Sequence, residues 1–191
     1  MATLNHVFSS AVRFSTRRFG RREYLPTDRT HAWQLHSGYV RMFAQDDQDA
    51  IATLGLWRAG DIVGHFGGTN QPCFIECLTP VEATPVNLNN LNQHEILMAQ
   101  LQQNQGLVRI LHQKRVELRL LAFLQWLATQ YGCPMPQGTL IDMPLTHQDI
   151  ADAIGSTRVT VSRLIKRLYS RGEVTYRRHR YMLLGVEICE S

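Results

Sequence analysis

The residues of this chain best suited to chemistry are cations. Positions 156–181 hold seven Arg and one Lys against one acid, a net of +7. Residues 31–108 hold two Arg and seven acids, a net of −5. A guanidinium offers five N–H donors in a planar fork, which matches a phosphate or the O6/N7 edge of guanine. Arg158, Arg163, Lys166, Arg177, Arg178 and Arg180 therefore form a candidate surface for a polyanion. The competing reading is a solvated basic face. A second cluster, Arg17, Arg18, Arg21 and Arg22, reads as exposed strand charge.

The elements that must carry these cations can be read from spacing. Thr146-His-Gln-Asp149 has the form of a capping box, and Ile150 and Ile154 then fall one helical turn apart. Gly155 ends that helix, and Ser156 or Thr157 can cap a second one. In the second helix Val161, Leu164, Ile165 and Leu168 share an apolar face. Val159, Arg163 and Lys166 point the other way, with Ser162 beside them and Arg158 in the first turn. Helix, tight glycine turn, helix with a basic outer face: this is the helix-turn-helix pattern. Gly172 ends the second helix. Val174–Tyr176 and Tyr181–Leu184 then form a hairpin around Arg177-Arg178-His179-Arg180, a wing whose arginines reach phosphates.

The first half reads differently. Tyr39–Phe43, Ala50–Trp57, Ile62-Val63, Cys73–Leu78 and Glu82–Val86 are strand-like, separated by Gly, Asp and Pro turns and flanked by Pro72, Pro80 and Pro85. Many short strands of this kind predict a barrel or jelly roll. From Leu91 to Tyr131 there is no proline, and Leu97, Leu101, Val108, Leu111 and Leu118 recur at helical steps. Asn104-Gln105-Gly106 is expected to split this stretch into two helices. The stripe is either a dimer seam or a face packed on the chain's own barrel. Tyr131–Gly138 is expected to be a loop and a domain boundary. A length of 191 residues suits one large domain or two small ones. No apolar run approaches the length of a membrane span, the N-terminus lacks a secretory pattern, and four cysteines do not make a disulfide scaffold. The expected setting is the reducing cytoplasm.

The segment Leu145-Thr-His-Gln-Asp-Ile-Ala-Asp-Ala-Ile-Gly-Ser-Thr-Arg-Val-Thr-Val-Ser-Arg-Leu164 resembles the DNA-binding domain of the Crp/Fnr superfamily of transcription regulators. Within it the chain most resembles the cyanobacterial nitrogen-control regulators, which Gly132-Cys-Pro and Gly138-Thr-Leu-Ile-Asp142 also fit. Ser37-Gly-Tyr-Val40, Gly60-Asp-Ile-Val-Gly64 and Leu78-Thr-Pro-Val-Glu82 are looser matches in the first half. The resemblance implies an α+β chain: a jelly-roll sensor-like barrel (1–90), a dimerisation helix (91–117) and a winged helix-turn-helix domain (118–191). It implies a homodimer that binds double-stranded DNA at a palindrome, with RNA polymerase as a further possible partner. By position, Arg158, Val159 and Arg163 match the base-reading residues, with Ser162 alongside. Thr146, His147 and Gln148 match phosphate contacts, and Thr157 and Thr160 at the start of the recognition helix join them. Relatives with Glu at the position of Val159 read GTGA-type half-sites. Valine can touch a thymine methyl but accepts no hydrogen bond, so a GTA…TAC-type palindrome is expected.

The sensor half departs from the family. Cyclic-nucleotide members have Gly-Glu where this chain has Gly64-His65, and there is no Arg or Lys between Arg58 and Arg109. Cyclic AMP is not expected. The nitrogen-control relatives bind 2-oxoglutarate partly through a barrel arginine, whose place Gln71 or a neighbour takes here. Only Arg109 or Arg115 could compensate, so 2-oxoglutarate is disfavoured, and a different small-molecule effector or none at all is the alternative. The stretch Gly67–Pro72 is also short for the family. No resident cofactor or metal is expected: the first 72 residues have no cysteine for an iron–sulfur cluster. Cys73 and Cys77 read as small buried thiols, and haem ligation by His65 or His94 has no second signal. Two other classes compete. A cupin-like barrel enzyme would need clustered histidines, whereas His31 and His36 are five apart and His65 stands alone. A non-specific nucleoid protein would not need arginines flanking a valine.

Overall fold

A computed structural model of the chain describes residues 15–27, 30–48, 50–64, 73–90, 92–177 and 179–184. The first half forms two four-stranded antiparallel sheets. One holds, in spatial order, β1 (Arg17–Phe19), β8 (Val81–Asn87), β3 (His31–Ser37) and β6 (Ile62–Val63). The other holds β2 (Tyr24–Leu25), β7 (Cys73–Cys77), β4 (Tyr39–Gln45) and β5 (Ile51–Arg58). Strand β8 shows why: Val81, Ala83 and Pro85 are buried and alternate with half-buried Glu82, Thr84 and Val86, the period of a one-faced strand. Both sheets contribute to one apolar cluster that includes Trp33, Leu35, Val40, Met42, Ile75 and Val81. The β4–β5 turn is set by Asp46, whose Oδ1 accepts from the amides of Gln48 (2.9 Å) and Ala50 (2.8 Å). Pro85, expected beside a strand, lies within β8. It sits past Ala83, where pairing with β1 ends, and an open edge tolerates a residue without an N–H.

Two helices follow, α1 (Gln93–Leu111) and α2 (Val116–Tyr131). The expected break at Asn104-Gln105-Gly106 does not occur, because α1 runs through it. Gly106 serves packing instead: a Cβ there would lie 2.5 Å from Nε1 of Trp126 on α2. The chain bends at residues 112–115, so Leu118 belongs to α2 and not to the helix carrying the rest of the stripe. Arg119 holds the bend. Its Nε donates to Gln113 O (2.9 Å) and its Nη1 to Ile154 O (3.2 Å).

The expected loop at 131–138 is also revised. It contains β9 (Gly132–Met135), which pairs antiparallel with β10 (Gly138–Ile141). After α3 (His147–Ile154) and α4 (Arg158–Ser170) come β11 (Val174–Arg177) and β12 (Arg180–Leu184), and the third sheet runs β11-β12-β10-β9. A single apolar cluster spans α1 to α4 and the wing, and it takes in Leu56 and Leu78 of the barrel. Among the described residues no helix is long and apolar enough to cross a membrane.

Gly106→Val tests the packing of α1 on α2. Overpacking costs about 1–3 kcal/mol, and the stability measured by urea unfolding is expected to fall by that order. An unchanged midpoint would show that the two helices do not pack as described.

Candidate nucleic-acid interface

Both helices of the helix-turn-helix are capped as their sequences require. Thr146 Oγ1 accepts from the Asp149 amide (3.1 Å), and the Asp149 carboxylate accepts from the Thr146 amide (2.8 Å), completing a capping box. The Thr146 hydroxyl also donates to Asp149 Oδ2 (2.8 Å), so this side chain is committed to the cap. What remains for an anion at this end are the first-turn amides of His147 and Gln148. Gly155 takes the left-handed conformation (φ 60°) that turns α3 into α4. Thr157 caps α4, its Oγ1 accepting from the Thr160 amide (3.2 Å) and lying 2.9 Å from the Thr160 hydroxyl. His147 Nδ1 is 2.7 Å from Ser162 Oγ, which ties the start of α3 to the middle of α4. Burial, together with nearby His179 and Arg158, pushes the His147 imidazole below its ordinary pKa and favours the neutral ring.

The cations divide into two groups. Arg167 and Arg171 turn back to Glu117 on α2, at 3.3 and 3.1 Å. Arg180 pairs with Asp142 at 3.1 Å. Gln148, a candidate phosphate contact, donates to Asp152 Oδ1 (2.7 Å). By contrast Arg158, Arg163 and Lys166 are exposed, and no carboxylate among the described residues pairs with them. Between them Val159 is 69% exposed, the most exposed large apolar side chain described. Arg178 and the side chain of Arg177 lie outside the described residues.

A Crp-like helix-turn-helix domain model matches residues 118–187. The regulatory protein CysR of Synechococcus elongatus is 36% identical over 168 residues, covering 86% of this chain and 81% of that protein. A global nitrogen regulator of Synechocystis is 44% identical over 148 residues, covering 69% of this chain and 66% of that protein. A CRP-family transcriptional regulator from Thermus thermophilus shares the fold, with a TM-score of 0.72 at 23% identity over 88% of this chain and 91% of that one. The chain belongs to the Crp/Fnr family. It is a DNA-binding transcription regulator with a jelly-roll barrel and a C-terminal helix-turn-helix.

In this Crp/Fnr regulator the sensor half is only partly in view. His65 and Gln71 lie outside the described residues. Arg109 in the last turn of α1 and Arg115 in the bend are both exposed. A cleft of about 250 Å³ opens between barrel and α1, lined by Trp57, Asp61, Ile62, Ile96, Ala99 and Gln103. Cys77 is buried on β7, and burial pushes its thiol up to about 12, which suits a packing residue. His36 Nε2 sits 2.8 Å from Thr84 Oγ1 and His94 is exposed.

One cluster was not legible in the sequence. Arg22, expected to be exposed strand charge, reaches across 127 positions and grips Asp149 with two bonds, Nη1–Oδ1 2.8 Å and Nη2–Oδ2 3.0 Å. Arg41 on β4 binds Glu76 on β7 (2.6 Å) and Asp152 on α3 (2.9 Å). Only the strand and helix patterns around these residues were visible, because charge partners so distant leave no local signal.

Burial pushes the Asp149 carboxyl up, but the bonds from Arg22 and Thr146 outweigh it and hold the group below its ordinary 3.8. An acid depressed on folding adds stability that is complete above its unfolded value and disappears as pH falls through the folded one. Arg22→Met should therefore begin acid unfolding at a higher pH than the wild type. Its stability at neutral pH should fall by about 1–2 kcal/mol, solvent exposure trimming the usual worth of a charged hydrogen bond. Tryptophan fluorescence across urea series at stepped pH reads both effects. Coincident acid limbs would remove Arg22 as the partner of Asp149.

Proposed function

We propose that this regulator acts as a homodimer whose two α4 helices enter successive major grooves of a GTA…TAC-type palindrome. The observation that carries the reading is the outer face of α4. Arg158, Arg163 and Lys166 stand around exposed Val159 without carboxylate partners among the described residues, while Arg167, Arg171 and Arg180 are tied to acids. An arginine can bind guanine O6 and N7 with two bonds, and a valine methyl can touch a thymine methyl. The first-turn amides of α3, with His147, Gln148, Thr157 and Thr160 nearby, and the wing arginines Arg177 and Arg178 supply phosphate contacts, and Arg180 joins them only by exchanging Asp142 for a phosphate. Thr146 contributes through its cap and not through its hydroxyl.

The dimer reading rests on α1. Its inner face buries Leu107 and Ile110, while Leu97, Leu101, Val108 and Leu111 stay 42–57% exposed. Exposed Leu97, Leu101, Val108 and Leu111, at steps of four, seven and three, form a coiled-coil-like seam, and Leu118 lies beyond the bend on α2. The regulator performs no catalysis and holds no resident cofactor. It works in the cytoplasm beside the chromosome and RNA polymerase. Arg109 and Arg115 are the candidate cations for a dicarboxylate effector such as 2-oxoglutarate.

Anisotropy titration of a GTA…TAC duplex against a scrambled one, with and without 2-oxoglutarate, tests operator and effector together. Arg163→Ala should cost about 1–3 kcal/mol on the cognate duplex, and Val159→Glu should move preference toward GTGA-type half-sites. Equal binding to both duplexes, or an unchanged preference in the valine variant, would refute the base-reading assignment. Val108→Arg places a charge in the seam and should leave a monomer in analytical ultracentrifugation. A dimer that persists in that variant would rule the seam out.

A further inference from the structure

We propose that Arg22 and Arg41 of the barrel are positioning residues for operator binding: with Glu76 they clamp α3 and set the angle at which the helix-turn-helix is presented. The inference rests on the DNA-binding reading above and extends it to residues outside the winged domain.

The clamp is built from both halves of the molecule. The barrel supplies Arg22 from the β1–β2 turn, Arg41 from β4 and Glu76 from β7. The winged domain supplies Asp149 and Asp152, three residues apart on α3. Arg22 Nη1 bridges Asp149 (2.8 Å) and Glu76 (3.1 Å). Arg41 bridges Glu76 (2.6 Å) and Asp152 (2.9 Å), with Asp149 at 3.5 Å. All three acids and Arg41 have side chains no more than 9% exposed. Arg22 itself sits at φ 69°, a left-handed conformation unusual for a residue with a side chain, so the turn is held in a costly shape while its guanidinium meets α3.

Position and direction give the clamp its role. Asp149 is the third residue of α3 and also closes its capping box, so the barrel grips the helix at the end whose amides face the phosphate backbone in the proposed complex. The next contact leads to the recognition helix through His147 and Ser162. Apolar packing of Leu56 and Leu78 against the winged domain is non-directional and permits sliding. Two arginine forks are directional, and a small rotation of α3 breaks them. Buried ion pairs add little net stability over an apolar replacement but can select one arrangement among several. In a dimer, that angle fixes the half-site spacing the protein accepts.

The test uses the full chain and two variants. Arg22→Met removes the partly exposed arm. Arg41→Met with Asp152→Leu removes a buried pair together, and Glu76 keeps Arg22 at 3.1 Å, so no buried acid is left without a cation. Arg22→Lys is the conservative control. Spin labels at Ala52→Cys on β5 and Ser170→Cys on α4, with Cys73, Cys133 and Cys189 changed to Ser, report the barrel-to-helix distance without DNA. The clamp predicts a narrow distance distribution in the wild type, a broad or shifted one in both clamp variants, and partial recovery in the lysine control. On palindromes lengthened by about two base pairs, the wild type should lose about tenfold or more in affinity because simultaneous engagement fails, while the clamp variants should lose about twofold. Unchanged distances in the variants overturn the proposal. So does a uniform affinity loss at every spacing with unchanged distances and a lower Tm, which marks a purely structural role. A wild type indifferent to spacing, yet with distances that broaden in the variants, leaves the clamp standing and refutes the palindrome reading instead.

Discussion

The carboxylate of Asp149 is the group on which both halves of the molecule converge. Its side chain is 2% exposed, and an unpaired ion in that position would cost several kcal/mol. The desolvation is offset because its oxygens are fully engaged: Thr146 donates through amide and hydroxyl, and Arg22 through two guanidinium nitrogens. One group thus ends a helix correctly and fixes the barrel against it. The opposite end of α3 is held too, since Arg119 of α2 donates to the carbonyls of Ile154 and Gly155. An anion lies at the N-terminus of α3 and a cation at its C-terminus, the signs the helix dipole favours at each end. With both ends tied, α3 gives α4 a firm base, reinforced by the His147–Ser162 contact.

That base matters because α4 has to hold charge out toward solvent without wasting it. Its apolar side, Val161, Leu164, Ile165 and Leu168, is buried. The arginines near its C-terminus are drawn back to Glu117 of α2, which anchors the domain and removes their charge from the outer face. The cations near its N-terminal half keep their capacity for phosphates and bases. The local excess of positive charge is therefore a mixture of structural and available cations. Helix α1 shows the same division: Leu107 and Ile110 face inward while the leucine stripe stays uncovered. The residues that pack inward, Leu107 and Ile110, lie outside the stripe read from the sequence, so the stripe itself is not the face packed on the chain's own barrel.

Much of the winged domain was legible in the sequence because its signals are local. A capping box, a glycine in left-handed conformation and an apolar face at three- and four-residue steps each involve residues within a few positions of one another. Strands β4 to β8 were legible for the same reason, through alternation and turn residues. Strand β3 was missed because His31–Ser37 does not alternate cleanly: Ala32 and Trp33 are adjacent and both buried. The expected break at Gly106 was wrong because glycine has two uses, low helix propensity and close approach, and only the position of Trp126 decides between them. The expected loop after Tyr131 was wrong because β9 pairs with β10, and β10 is held on its other side by β12, some 40 positions away.

By itself the sequence determined the type of each element of the helix-turn-helix domain and the chemistry available on it: a capped second helix with arginines around a valine, and a hairpin rich in arginine. Those properties depend on neighbours in the chain. The tertiary structure alone decided which cations remain available and which are tied to Glu117 or Asp142. It alone decided that Arg22 and Arg41 belong with α3. Electrostatic pairing depends on distance in space, and a partner 111 or 127 positions away in sequence becomes a neighbour only after the barrel and the winged domain have packed on a common core.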